Sequence, residues 1–133
     1  MTDKQALYAY RMKEADETLL DAGQMLETGI RPRSVVNRAY YAMFYALLAL
    51  FIERDLNPKT SKHSGIIAIF DREFVHPGVI GKDYSRALHR IFELRQQSDY
   101  KELVEISEEE AATSVKQASD FVGAIKKLIA GAV

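Results

Sequence analysis

Six side chains in two stretches of this sequence have the types and spacing to do chemistry together. Asn37, Arg38 and Tyr41 lie in the run Arg31-Pro-Arg-Ser-Val-Val-Asn-Arg-Ala-Tyr-Tyr-Ala-Met-Phe-Tyr45; Arg95, Asp99 and Tyr100 lie in Leu94-Arg-Gln-Gln-Ser-Asp-Tyr100. Arginine is always charged and presents five donors in a rigid fork, which suits phosphate and carboxylate. Asn37 and the tyrosines supply hydrogen-bonding tips that can orient such an anion. Asp99 stands four residues after Arg95, within reach on one helix face. Two readings follow. Arg95 and Asp99 form an ion pair that fastens a helix end, or Arg95 binds an anion that Asn37, Arg38, Tyr41 and Tyr100 help to hold. We expect Arg95 to meet Asn37.

A second group is basic: Arg31, Arg33 and Arg38 in the first stretch, with Arg86 and Arg90 one turn apart further on. It reads either as solvated surface or as a cradle for an RNA backbone or an acidic partner. The histidines His63, His76 and His89 match no zinc-binding spacing. No metal role is expected of them; beside a helix start or a turn a histidine reads first as a structural hydrogen-bonder, and His63 and His89 stay candidates for proton transfer only because an unperturbed histidine titrates near neutrality. Tyr40, Tyr41 and Tyr45 pair apolar rings with polar tips, a combination that suits a core or a subunit interface. The chain has no cysteine, so disulfides, thiolate metal sites and cysteine nucleophiles are excluded. No Gly-rich phosphate loop or G-x-S-x-G elbow occurs, and no cofactor is expected.

The elements that must position these groups read as five helices. The first, over 3–28, carries Tyr8, Met12, Ala15, Leu19, Ala22 and Leu26 at a four-three spacing, one bundle-facing seam. The second opens at Pro32 and ends before Asn57-Pro58; it is apolar on nearly every side, apart from a row of Ser34, Asn37, Arg38, Tyr41 and Tyr45. Such a helix belongs in a core, and its buried polar groups need partners. A short third helix is expected from 60 or 61 to 75. The fourth, over 82–97, has Tyr84, Leu88, Ile91 and Arg95 on its seam, and a loop is expected at 98–106. The fifth opens with the capping box Ser107-Glu-Glu-Glu110. These elements predict an all-α, up-and-down four-helix bundle of helices one, two, four and five, with the third as a short cross-piece, in one domain over 1–133. In that layout helices two and four are antiparallel, which brings Arg95 to the head of helix two.

With 47% apolar and 28% charged residues the composition is that of a globular protein. Eighteen basic against nineteen acidic residues argue against a dedicated DNA binder, whose phosphate contacts demand excess positive charge, but leave room for RNA in a local basic cleft. The N-terminal residues lack a signal-peptide layout and helix two is a poor membrane span, so a cytoplasmic protein without a membrane partner is expected.

The pieces Ser34-Val-Val-Asn37-Arg-Ala-Tyr40-Tyr41-Ala-Met-Phe44, Lys62-His63-Ser-Gly65, Phe70-Asp-Arg-Glu-Phe74-Val and Leu94-Arg95-Gln-Gln-Ser-Asp99-Tyr100, in this order, resemble the HEPN superfamily (higher eukaryotes and prokaryotes nucleotide-binding). The resemblance spans most of the chain. It implies a helical bundle, often a symmetric homodimer, of prokaryotic origin, frequently encoded beside a minimal nucleotidyltransferase in a toxin–antitoxin pair. Active members resemble metal-independent RNases with an arginine, four to six intervening residues and a histidine. Arg95 matches that arginine and Asn37 the helper polar residue, but Tyr100 stands after four intervening residues and no histidine follows His89. A tyrosine with an ordinary pKa near 10 is a poor proton carrier at neutral pH. The expected function is therefore nucleotide, RNA or partner binding. The alternative is an RNase toxin with a degenerate Arg-x4-Tyr motif using Arg95, Tyr100 and Asn37.

Overall fold

A computed structural model describes residues 1–100 and 104–131, with Tyr100 described by its backbone only. Its elements are α1 (Asp3–Glu27), α2 (Pro32–Glu53), α3 (His63–Phe70), a π-helical turn (Asp71–Val75), α4 (Lys82–Tyr100) and α5 (Glu108–Ile129). The fold is the expected all-helical bundle: α2 packs against α1, α4 and α5, while α3 and the π turn form the cross-piece.

Local chemistry sets the helix ends. Thr2 with Gln5, and Ser107 with Glu110, close reciprocal capping boxes at the heads of α1 and α5. α1 stops at Gly29, whose φ of +76° lets the Ile30 amide bond to the Met25 carbonyl at 3.0 Å. The same geometry ends α2, but there Asp55 takes the left-handed position at φ +58°, and the Leu56 amide reaches the Phe51 carbonyl at 2.8 Å.

α2 is long and apolar enough to cross a membrane, yet most of it lies inside the bundle. Val35, Val36, Ala39, Tyr40, Met43, Leu47 and Leu50 are sealed completely. The row Ser34, Asn37, Arg38, Tyr41 and Tyr45 is half-buried rather than buried. It marks the one side of α2 that opens to solvent, and the candidate site lies along it.

Two boundaries differ from expectation. Helix three begins at His63, not at 60 or 61, because the Thr60 hydroxyl takes the Lys62 amide at 3.1 Å and closes a turn just ahead of it. α4 runs on to Tyr100 where a loop from 98 was expected. Two contacts hold that last turn. Arg33 donates to the Ser98 carbonyl at 2.6 Å, and Arg95 faces Asp99 one turn on. The Arg33 bond also brings the end of α4 to the head of α2, as the antiparallel layout requires.

Candidate anion-binding site

The four-three seam of α4 that buries Leu88 and Ile91 continues into Arg95. Its side chain is 20% exposed. The guanidinium carbon lies 5.1 Å from the Tyr40 ring centre and 5.2 Å from that of Tyr41, within cation–π range of both. Its terminal nitrogen donates to the Tyr41 hydroxyl at 3.3 Å. Nε is sealed from solvent without a hydrogen-bond partner, and the nearest carboxylate oxygen, on Asp99, is 3.7 Å away. The ion pair is therefore loose, and a half-buried cation keeps donor capacity that the described residues leave unfilled.

α3 brings His63 to the same place. The fully buried Tyr40 places its hydroxyl 2.8 Å from His63 Nδ1, and the imidazole stacks on Phe44 with ring centres 4.0 Å apart. Burial pushes the histidine pKa below its ordinary 6.5, and the nearby Arg95 charge lowers it further. Burial pushes the Tyr40 phenol well above its ordinary value, against the smaller opposing pull of Arg95. Both groups are thus neutral at neutral pH. The Tyr40 hydroxyl has His63 as its one hydrogen-bond partner among the described residues. A buried O–H that donates to nothing costs about 1–3 kcal/mol, so Tyr40 donates to Nδ1. The ring proton then sits on Nε2, making that nitrogen a donor. Nε2 has no partner among the described residues and is not sealed from solvent.

Tyr41, Lys62, His63, Ser64, Phe92, Arg95 and Gln96 line an open cleft of about 330 Å³. Its lining includes two basic side chains, Lys62 and Arg95, and no carboxylate. α3 starts at its edge without a side-chain cap. Gly65 permits this arrangement, since a Cβ there would stand 2.5 Å from Thr60 Cγ2, in the turn that delivers Lys62 and His63. A neutral imidazole carrying its proton on Nε2 cannot accept a proton there. The cleft can hold an oxyanion by donation, and His63 is not set up as its general base.

Asn37 does not meet Arg95. Its carboxamide oxygen accepts from Arg38 at 3.1 Å, and the Arg38 guanidinium lies 5.3 Å from the centre of the Tyr41 ring. Asn37, Arg38 and Asp99 line a separate cleft with Arg31, Arg33 and Ser34, of about 350 Å³. Asp99 links the two clefts, 3.7 Å from Arg95 and 4.0 Å from Arg33. Of the sequence-predicted residues, Tyr41 and Arg95 share the first cleft, and Asn37, Arg38 and Asp99 the second; the Tyr100 side chain lies outside the described residues.

Arg86 and Arg90 do not join the basic group. Arg86 pairs with Asp83, and Arg90 bonds to Ser114 and Gln117 of α5. His89 bonds to Asp71 at 2.6 Å, and Ser85 fills the other carboxylate oxygen. That trio anchors the π turn to α4. His63 is a hydrogen-bonder at a helix start, as the sequence suggests, but its partner Tyr40 and its place beside Arg95 are not given by the sequence. The available signal was Lys62-His63-Ser-Gly65, a polar cluster just ahead of an apolar helix.

The HEPN domain family matches residues 8–128. A UPF0332 protein of Thermotoga maritima is 42% identical over 129 residues, covering 97% of this chain and 96% of its own length. Two Methanocaldococcus jannaschii proteins, each named "Putative toxin", are 38% identical over 116 residues (87% of this chain, 84% of the relative) and 30% identical over 119 residues (90% and 80%). The chain belongs to the HEPN family.

Proposed function

We propose that this HEPN protein is a phosphate-binding module for RNA or nucleotides, the toxin-like half of a toxin–antitoxin pair whose other member is a minimal nucleotidyltransferase. One observation carries the binding reading. The Arg95 guanidinium is held against Tyr40 and Tyr41, at a cleft that also offers Lys62, His63 Nε2–H and Ser64 and is lined by no carboxylate. A phosphate oxygen in that cleft would fill the donors that the chain leaves open. The M. jannaschii relatives' printed name supports the toxin half of the reading. The working unit is a cytoplasmic homodimer.

A metal-independent RNase is the second reading, because a histidine does reach the Arg95 cleft, from α3 rather than from the end of α4. The protonation of His63 argues against it. A base needs a free lone pair, and a neutral imidazole is a weak acid.

The test uses the purified protein and a labelled single-stranded RNA, with binding and cleavage read in the same samples. Binding that Arg95→Ala weakens at least tenfold, with the RNA intact, is the expected result. Cleavage without added metal, lost in Arg95→Ala, would establish the RNase instead. RNA that binds neither protein would remove both readings. Co-purification from the native host with a nucleotidyltransferase tests the pairing.

A further inference from the structure

We propose that α5 is the seam of a symmetric contact between two copies of this chain. Its outer face docks antiparallel on the α5 of the second copy, and each helix lies in the other's groove between α4 and α5. The inference rests on the homodimer reading above for there being a second copy, and is independent of what the Arg95 cleft binds.

The surface is a groove of about 920 Å³ between α5, the head of α4 and the segment 78–81 that leads into it. Its lining is largely apolar, with Ile80, Tyr84, Ala87, Ala124 and Leu128, and Val79 stands there 46% exposed. It shares no lining residue with the Arg95 cleft or with the cleft of Asn37 and Arg38. Small residues keep both walls low: Gly81 and Ala87 on one side, Gly123 and Ala124 on the other. Glycine is the poorest residue for a helix interior after proline. A Cβ at Gly123 would meet nothing within 4 Å, so no neighbour within the chain calls for its absence. A second helix crossing at that point would, because the side chains at a crossing set how closely two helices approach.

Charge decides the occupant. Ala111, Ala118, Val122 and Ile125 of α5 face the core. On the opposite face Lys116, Asp120, Gly123 and Lys127 recur at four-three-four spacing. Asp120 and Lys127 stand equally far on either side of the Gly123–Ala124 midpoint. A two-fold axis through that midpoint sets Asp120 of each copy against Lys127 of the other, so the pair forms twice. Lys116 then falls opposite residue 131, at the negative end of the second copy's helix. Lys127 has no ion-pair partner among the described residues, and Asp120 has the exposed Lys116 one turn back at 3.1 Å. Parallel pairing would oppose Asp120 to Asp120 and Lys127 to Lys127, which like charges disfavour. The face is complementary to itself in the antiparallel orientation, as a two-fold contact requires. The charges fix orientation and register, and the apolar lining supplies the affinity.

Sedimentation equilibrium of the full chain reads the dimer constant, and thermal melts check that each variant is folded. Gly123→Leu puts its side chain into space that is open within the chain, so it should keep the fold and weaken the dimer at least about tenfold. Asp120→Lys and Lys127→Asp should each weaken it about three- to tenfold, since the two-fold axis makes each substitution act twice. The two combined exchange the charges and should recover most of that loss. The chain has no cysteine, so Gly123→Cys or Ala124→Cys supplies its only thiol. Oxidation with copper–phenanthroline should link two copies through either, and Ala112→Cys, exposed on the same helix, should stay unlinked. A native chain that sediments as a monomer at micromolar concentration would overturn this contact and the homodimer reading together. A dimer indifferent to Gly123→Leu and to both charge reversals would overturn this contact alone. So would a thiol at Ala112 that cross-links more readily than those at Gly123 and Ala124.

Discussion

Tyr40→Phe tests the tyrosine–histidine contact that sets the chemistry of the Arg95 cleft. The substitution removes one oxygen and keeps the ring, so the packing of Tyr40 on Tyr41, Phe44 and Phe92, at 5.4, 6.1 and 5.6 Å between centres, is retained. What is lost is the 2.8 Å bond to His63 Nδ1. A typical intramolecular hydrogen bond is worth about 0.5–1.5 kcal/mol net, and an acceptor left without a donor adds to that, so the expected loss is about 1–2 kcal/mol. For a domain of this size that corresponds to a fall in Tm of roughly 3–8 °C. His63→Ala instead strands a hydroxyl at a position of zero exposure and should cost at least as much. The double variant should then show a coupling of about 1 kcal/mol or more in a denaturant-melt cycle. In parallel, ¹⁵N shifts of the imidazole should report a proton on Nε2 in the native protein and a mixture of tautomers in Tyr40→Phe. The reasoning fails if the native histidine carries its proton on Nδ1, or if the two substitutions are additive.

Three further outcomes follow. His63 has a lowered pKa in the fold, so between that value and 6.5 the unfolded chain binds a proton that the native chain does not. Stability should therefore rise with pH through that window and add nothing above it; urea melts from pH 5 to 8 should show the slope, and His63→Gln should remove this histidine's share. Gly65→Ala places a methyl 2.5 Å from Thr60 Cγ2 and should cost about 1–3 kcal/mol in spite of alanine's helix preference, with Thr60→Ala in the same chain recovering much of it. Asp55→Gly relieves a left-handed position at φ +58° and sacrifices only the exposed ion pair with Lys4, so thermal melts should show a gain of about 0.5–1 kcal/mol.

The sequence made the bundle legible where one face of an element answers to one neighbour. The α1 seam through Ala15 and Ala22, the α5 seam through Ala111, Ala118 and Ile125, and the capping box at Ser107 all appear as read. Helix ends held by tertiary contacts were not legible. The last turn of α4 depends on Arg33, 65 residues away in sequence, and the start of α3 on a threonine turn. The π turn at Asp71–Val75 is fixed by Ser85 and His89 from another helix, and periodicity carries no sign of that.

In the site, the adjacency of the α4 end and the α2 head followed from the antiparallel layout, and Arg95 does reach Tyr41. The Asn37 partner did not follow. The antiparallel layout placed Arg95 near Asn37, whereas the long Arg38 side chain folds back on its immediate neighbour and takes the Asn37 oxygen. Tyr40 was read as one of a group of tyrosines suited to a core or a subunit interface, and it lies in the core. That its hydroxyl is sealed against His63 depends on where α3 crosses α2, which no local pattern encodes.

The most direct test of the phosphate-binding reading is the Arg95 side chain itself, followed by its Nε–Hε resonance as a nucleoside monophosphate is titrated into the full-length protein. The expected result is a saturable shift of that signal, accompanied by one at His63 Nε2–H, with the His63 shift weakened when Arg95 is replaced by lysine. An Arg95 resonance that stays fixed while the nucleotide binds elsewhere, or does not bind, would contradict it.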